Sequence, residues 1–269
     1  MWAIDKSASA ENRPNDAPVL EVKDVVKEFG GLRAVDGMSI ALRRGEVVGL
    51  IGPNGAGKTT LFNMVAGSLT PTSGSIRIAG AEVSAEGPDK RIGRGLGRTF
   101  QIPRPFAEMT VLENVLTAGQ GQAGERIGLN FLRPSRVAAE ERAAVDKARA
   151  LLDFVLLSRL ESEPARVLSG GQRKLLELAR ILMADPEIIL LDEPAAGVNP
   201  ALLEFIIDRV LELNGRGKTI MLIEHNMAMV TRLCGRVVVM AAGKFLAEGP
   251  PAVVARDPAV IDAYLGDGA

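Results

Sequence analysis

The sequence predicts an α/β protein whose mainly parallel β-sheet is covered by helices. Toward the C-terminus, apolar runs of strand length alternate with helical segments, which is typical of βαβ units. A glycine-rich loop that joins another apolar run to a helix is the second observation. The predicted elements are the strands Val47–Ile51, Ile188–Leu191 and Thr219–Ile223 and the helices Lys58–Ala66, Leu175–Met183 and Pro200–Leu213.

The N-terminal and middle regions depart from this alternation. Residues 1–18 mix small, polar and proline residues without periodicity, which predicts a mobile tail. The β-rich runs Val19–Val25 and Ser39–Leu42 predict two strands. A glycine-rich stretch, Gly119–Pro134, is followed by apolar residues at helical spacing over Arg136–Leu157. We therefore expect a helical insert in the middle of the chain.

The composition limits the possible classes of protein. A chain of 269 residues with 47% hydrophobic content can bury one large core or two small ones. Its 32 basic and 33 acidic residues leave no positive excess to bind nucleic acid. One cysteine and one histidine exclude an internal disulfide and the usual zinc clusters, which favours a reducing, cytoplasmic setting. The apolar runs fall well short of the roughly 18 residues of a membrane span, so another chain would supply any span.

The glycine loop GPNGAGKT, at residues 52–59, matches the phosphate-binding pattern G-x-x-x-x-G-K-[ST]. Glycines let the backbone wrap closely around phosphate oxygens, and the following helix offers its positive N-terminal end. Lys58 is predicted to bridge the β- and γ-phosphates, and the Thr59 hydroxyl to bind Mg²⁺. The predicted phosphate-binding residues are Gly52, Pro53, Asn54, Gly55, Ala56, Gly57, Lys58, Thr59 and Thr60.

Two adjacent carboxylates end an apolar strand in the run EIILLDEP, residues 187–194. The carboxyl edge of a parallel sheet is where ligands bind. Successive side chains of a strand point to opposite sides, so the two carboxylates are expected to have different roles. We assign Asp192 to Mg²⁺, through a bound water, and Glu193 to polarising the water that attacks the γ-phosphate.

The single histidine, His225, follows the next predicted strand, Thr219–Ile223. In a parallel sheet this places it at the same edge as the two carboxylates. We expect its side chain to hydrogen-bond the γ-phosphate and the attacking water. A histidine that only satisfies a strand end is the alternative interpretation.

A second short motif, LSGGQ at residues 168–172, opens a helical segment. Ser169 and the amide groups of Gly170 and Gly171 would form another anion site at a helix N-terminus. A serine that merely caps the helix is the structural alternative. One chain with two phosphate sites suits a dimer.

In this order, GPNGAGKTT, LSGGQ, ILLDEP and LIEH resemble the ATP-binding subunit of an ABC transporter, over residues 19–266. The resemblance implies a P-loop NTPase fold with an N-terminal antiparallel β-subdomain, a core at about 19–98 and 173–266, and a helical subdomain at about 99–172. It also implies ATP and Mg²⁺ as cofactors. ATP would lie between the phosphate loop of one subunit and the signature motif of another, formed by Ser169, Gly170, Gly171 and Gln172.

Three further positions carry over from the resemblance. Gln101 is similar to the glutamine that contacts Mg²⁺ and reports the nucleotide state to the membrane subunit. Phe29 is similar to the aromatic residue that stacks on adenine, although a phenylalanine at a strand end more often belongs to a core. Asn199, in AAGVNP, occupies a position where many ABC proteins have aspartate, which leaves charge coupling across the dimer open.

A narrower resemblance is to importers of the branched-chain amino acid type, through RTFQIPRPFAEMTVLENVL, IEHNM and DPAVIDAYLG. It implies a second ATPase subunit of different sequence, two membrane-spanning permeases, an external solute-binding protein and a place on the cytoplasmic face of the inner membrane. The solute could equally be urea, an amide or an aromatic acid.

Two alternatives remain open at this level. The ATPases of lipopolysaccharide export have a similar core and a YLG-like end, but the long insert between Thr117 and Arg136 is hard to place there. Soluble ABC proteins that act on nucleic acid or ribosomes commonly carry two cassettes, long coiled arms or basic linkers, and none of these is visible in the sequence.

Overall fold

The structure is a computed structural model that describes residues 17–99, 104–120 and 134–265. Most of the predicted tail at 1–18, and Gln101 in the predicted site, lie outside the described residues. Within them the chain forms a small antiparallel sheet, a larger mainly parallel sheet and a set of helices. This arrangement confirms the predicted fold class.

The small sheet comes from the N-terminal part of the chain. Its strand order is β2-β1-β4-β5 and every neighbouring pair is antiparallel. Both predicted N-terminal strands exist, but they are longer than predicted. The residues added to β1 are half-buried or exposed, and only Val35 and Met38 are buried among those added to β2, so no continuous apolar run marks either extension. The strands are β1 (Leu20–Phe29), β2 (Leu32–Leu42), β4 (Ser73–Ile78) and β5 (Ala81–Glu82).

The larger sheet has the order β10-β9-β3-β8-β7-β6. All neighbouring pairs are parallel except β9 and β10. The three predicted strands of this sheet are confirmed, and one of them extends by a residue to Asp192. The strands are β3 (Val47–Ile51), β6 (Leu96–Arg98), β7 (Ile188–Asp192), β8 (Thr219–Ile223), β9 (Arg236–Ala241) and β10 (Lys244–Gly249).

Both faces of this sheet are buried, which explains why its central strands are apolar throughout. In β7, Ile188 and Leu190 pack with β1, β2 and the helix that follows the phosphate loop. The alternate residues Ile189 and Leu191 pack on the opposite face, among the later helices. Strand side chains alternate between faces, so a strand covered on both sides needs apolar residues at every position.

The helices cover the sheet, and a helix over Pro134–Phe154 lies where the apolar spacing predicts one. Among them α3, α4 and α5 pack against one another, and Lys147 Nζ of α4 donates to the carbonyl of Met183 in α5 at 3.0 Å. No described helix is both long and apolar enough to cross a membrane. The helices are α1 (Lys58–Val65), α2 (Pro88–Gly93), α3 (Val111–Leu116), α4 (Pro134–Phe154), α5 (Gly170–Met183), α6 (Pro200–Gly215), α7 (Met227–Leu233), α8 (Pro251–Val254) and α9 (Pro258–Leu265).

Cys234, the single cysteine, is buried between α7 and β9. Burial raises the pKa of its thiol to about 12, so the thiol stays protonated at neutral pH.

We expect the native protein to resist Ellman's reagent at pH 8 and to react within minutes once unfolded in guanidinium chloride. Cys234→Ala should retain normal activity. Rapid labelling of the folded protein would contradict this placement.

Candidate nucleotide-binding and hydrolysis site

The phosphate loop connects β3 to α1 and packs directly against the backbone of neighbouring strands. Gly52 has φ 147°, and a Cβ there would lie 2.0 Å from the carbonyl oxygen of Met240. Gly57, the residue before α1, has φ 94°, and a Cβ there would lie 2.3 Å from the carbonyl oxygen of Ala34. Both positions therefore require glycine, for sterics as well as for backbone conformation.

Lys58 supplies a buried positive charge inside this loop. Its side chain is 6% exposed, and Nζ donates to the carbonyl oxygens of Gly52 and Pro53, at 2.7 Å each. The first turn of α1, which includes Thr59 and Thr60, leaves backbone N–H groups without intrahelical acceptors. The loop thus combines an ammonium group with a helix N-terminus, which is the chemistry of a phosphate site.

Asp192, at the end of β7, is held by an arginine that sequence reasoning missed. Its Oδ2 lies 2.9 Å from Arg98 on the adjacent strand β6, and both side chains are nearly inaccessible. Arg98 also donates to Asn63 Oδ1 of α1 at 2.6 Å. Asp192 and Thr59, the two described residues predicted at Mg²⁺, both line a cleft of about 710 Å³. The oxygen ligands that Mg²⁺ prefers are therefore brought to one cleft.

Glu193 and His225 meet at the carboxyl edge of the sheet. The distance between Glu193 Oε1 and His225 Nε2 is 3.2 Å. Glu193 has a left-handed backbone, with φ 48°, which is uncommon for a residue of this size and turns the chain sharply at the end of β7. The expectation that the strand ends bring these two residues to one edge is confirmed, whereas their catalytic roles stay predictions.

Two charged residues, the half-buried Lys174 and the buried Glu224, organise the backbone around this pair, and the sequence alone assigned a role to neither. Lys174 Nζ, from α5, donates to the carbonyl oxygen of Glu193 at 2.8 Å. Burial lowers the pKa of Lys174, and the largest opposing effect comes from the carboxylate of Glu224. The helix that begins in LSGGQ is therefore bonded to the backbone of the predicted catalytic glutamate.

The LSGGQ motif forms a capped helix start. Ser169 Oγ accepts a hydrogen bond from the Gln172 amide at 3.3 Å, and Gln172 Oε1 accepts one from the Ser169 amide at 2.9 Å. Ser169 and Gln172 therefore form a capping box at the start of α5. A Cβ at Gly170 would meet nothing within 4 Å, whereas a Cβ at Gly171 would lie 2.2 Å from Leu202 Cδ2. The anion-binding role of the motif stays a prediction.

The remaining predicted positions lie outside this cluster. Phe29 ends β1 and is 46% exposed, with Lys27 Nζ 5.2 Å from the ring centroid. Phe29 is therefore no core residue, and its ring face stays a candidate for stacking.

Asn199 caps α6, because its Oδ1 accepts a hydrogen bond from the Leu202 backbone amide at 2.8 Å. An aspartate could cap the helix equally well, so asparagine here preserves the local structure.

A P-loop ATPase cassette is the class that this fold and site define. A family model described as ABC transporter matches residues 35–196, and one described as branched-chain amino acid ATP-binding cassette transporter matches residues 246–269. The chain belongs to the ABC transporter family as one of its ATP-binding subunits, which are nucleotide-binding ATPases.

Curated relatives and a solved structure resemble nearly the whole chain. The high-affinity branched-chain amino acid transport ATP-binding protein LivG of Salmonella typhimurium is 41% identical over 93% of this chain and 98% of its own length. The probable branched-chain amino acid transport ATP-binding protein LivG of Methanocaldococcus jannaschii is 40% identical, with the same coverage. The ADP conformation of MJ1267, an ATP-binding cassette of an ABC transporter, superposes with a TM-score of 0.80 at 40% identity, covering 93% of this chain and 99% of that chain.

The tight loop packing predicts a steric difference between two glycines. Gly52→Ala places a Cβ against the Met240 carbonyl, whereas Gly55→Ala, also at positive φ, meets nothing within 4 Å. We expect Gly52→Ala to lower the free energy of unfolding by about 1–3 kcal/mol more than Gly55→Ala does, because overpacking adds to backbone strain. Urea titration without nucleotide measures this difference, and equal destabilisation would contradict the packing.

Proposed function

We propose that this chain binds and hydrolyses ATP with Mg²⁺ to power an importer of branched-chain amino acids or related small polar solutes. The observation that carries the proposal is the contact between Glu193 and His225 at the same sheet edge from which the phosphate loop leaves. Relatives named as branched-chain amino acid transport ATP-binding proteins support the choice of solute.

Binding of ATP follows from the charges of the phosphate loop. The backbone amides of residues 54–60 and the ammonium group of Lys58 would hold the β- and γ-phosphates. The oxygen donors of Thr59 and Asp192, together with Gln101, would hold Mg²⁺, which neutralises phosphate charge when it is bound. The exposed ring of Phe29 would stack on the adenine.

Hydrolysis would depend on the two side chains that meet at the sheet edge. The Glu193 carboxylate accepts a proton from the attacking water, and His225 beside it hydrogen-bonds the γ-phosphate. Their separation of 3.2 Å means that one water could contact both groups. ADP lacks the γ-phosphate that His225 would bind, so the pair is suited to distinguish ATP from ADP.

The working assembly contains more than one chain. The LSGGQ motif would contact the ATP held by a second ATPase subunit of different sequence, through Ser169, Gly170, Gly171 and Gln172. The corresponding motif of that subunit would contact the ATP held by this chain. The core at 19–98 and 173–266 would bind nucleotide, and the helical subdomain at 99–172 would face two membrane-spanning permeases. In this assembly the chain would lie at the cytoplasmic face of the inner membrane, and an external solute-binding protein would select the cargo.

Affinity purification of the tagged chain from its native membranes tests the transport function. We expect two multi-spanning proteins and a second ATPase to copurify, and uptake of radiolabelled leucine to stop when the gene is deleted. Uptake of an unrelated sugar is the control. Copurification with RNA or with lipopolysaccharide-export proteins, together with normal leucine uptake, would contradict the proposal.

Replacement of the carboxylate at residue 193 tests the hydrolytic step. Glu193→Gln keeps the side-chain volume but cannot accept the proton, so ATP should bind normally while kcat falls at least about 100-fold. Steady-state phosphate release and calorimetric ATP binding measure the two effects. A variant that hydrolyses ATP at the normal rate would remove Glu193 from the proposed mechanism.

Replacement of Lys58 tests the phosphate site itself. Lys58→Ala removes a charged hydrogen-bond donor, so ATP affinity should fall about 10- to 100-fold. Lys90→Ala, which changes an exposed lysine of α2, is the matched control and should bind ATP normally. Equal affinity of the two variants in calorimetry would show that the phosphates bind elsewhere.

A further inference from the structure

Glu224 is a buried carboxylate that bridges two loops of the site. It follows β8, is 3% exposed, and belongs to the LIEH motif without any assigned role. Its Oε1 accepts a hydrogen bond from the Ala195 amide at 2.6 Å. Its Oε2 accepts bonds from the amides of His225 and Asn226, at 3.0 and 3.2 Å. One side chain therefore ties the loop after β7 to the loop after β8.

The two tied loops carry the two side chains proposed for hydrolysis. Ala195 lies two residues beyond Glu193, and His225 directly follows Glu224. The contact between Glu193 and His225 persists only if both loops keep their relative position. A hydrogen-bonded bridge between the loops provides this constraint, because each amide is held at a fixed distance from one rigid carboxylate group.

The backbone of Glu193 needs external support, because a left-handed conformation is unfavourable for a residue with a side chain. Its amide donates to the carbonyl oxygen of Ile223 at 3.0 Å, and its own carbonyl oxygen accepts from Lys174 Nζ at 2.8 Å. Glu224 adds a third hydrogen bond, from the Ala195 amide two residues further along the chain. The backbone on each side of the strained residue is thus anchored.

A buried carboxylate also costs desolvation energy, which these bonds offset. Three backbone donors satisfy the oxygens, and the ammonium group of Lys174 provides a nearby opposite charge. The hydrogen bonds of Glu224 go to the loops after β7 and β8 and not to the phosphate loop. Its removal should therefore affect the reacting pair more than nucleotide binding.

We propose that Glu224 is a positioning residue for ATP hydrolysis, which holds the loops of Glu193 and His225 in register so that the two side chains meet. This inference rests on the proposed function. Glu224 acts through backbone amides and contacts no reacting atom.

Two substitutions of Glu224 test the proposal in steady-state ATP hydrolysis. Glu224→Gln keeps the side-chain volume, but its NH₂ group is a donor and cannot accept a hydrogen bond from the backbone N–H groups that it faces. Glu224→Ala leaves all three backbone amides without this acceptor. We expect kcat to fall about 100-fold for Glu224→Ala and less for Glu224→Gln, with KM for ATP unchanged within about twofold. Glu204→Gln, in an exposed ion pair with Arg232, is the control and should hydrolyse ATP normally.

A spectroscopic test uses the fact that the chain has a single histidine. In a long-range ¹H–¹⁵N spectrum of the nucleotide-free protein, Glu193→Gln should move the His225 ring signals when Glu224 is present. The same change should leave them unmoved in the Glu224→Ala background, because the contact is already lost. Equal shifts in both backgrounds would overturn the positioning role, whatever happens to kcat.

The values of kcat and KM distinguish a failure of this inference from a failure of the proposed function. If the wild-type chain with its partner subunit hydrolyses no ATP, the proposed function fails and the inference fails with it. If the wild type is active and Glu224→Ala keeps a normal kcat, the inference alone fails. A raised KM with normal kcat would also overturn it, because it would place Glu224 in nucleotide binding.

Discussion

The site depends on the parallel register of three adjacent strands. Ile223 of β8 is aligned with Leu50 of β3 on one side and with Asp192 of β7 on the other. The three strands therefore end at one level, and the loops that begin at residues 52, 193 and 224 leave the sheet side by side. A shift by one residue in either pairing would turn the side chains of the shifted strand to the opposite face and displace its loop from the other two.

Hydrogen bonds between buried or half-buried charged side chains and backbone groups hold these loops in place. Lys58 bonds to carbonyls of its own loop, Lys174 to the carbonyl of Glu193, and Glu224 to three amides. Loops at the end of a sheet have backbone groups that the sheet does not satisfy, and a buried group without a partner is costly. Charged side chains supply the missing partners and stabilise the loop conformations.

The network also links α5, the helix that begins in LSGGQ, to the proposed hydrolysis site within one chain. Lys174 lies near the start of α5, two residues after Gln172, and contacts the Glu193 backbone. Any movement of α5 would therefore act directly on the loop that carries the proposed catalytic glutamate. This connection gives the proposed dimer a physical route by which events at the signature motif reach hydrolysis.

The sequence predicts the parts of this structure that depend on continuous or regular patterns. The central strands are apolar throughout because both their faces are buried, so β3, β7 and β8 are predictable. β6 has only three residues and includes Gly97 and Arg98, so no apolar run marks it. Arg98 bonds to the Asp192 carboxylate 94 positions away and Glu224 to the Ala195 amide 29 positions away, and only the folded chain brings each of these pairs together. Their roles could not be predicted from local sequence.

The arrangement of the site can be checked in a crystal structure with Mg²⁺ and a non-hydrolysable ATP analogue. We expect the β- and γ-phosphates to lie on the amides of residues 54–60, with Lys58 Nζ within about 3 Å of phosphate oxygens. We also expect the Glu193 and His225 side chains to face the γ-phosphate. Nucleotide bound away from the loop, or a γ-phosphate turned away from these two side chains, would contradict this arrangement.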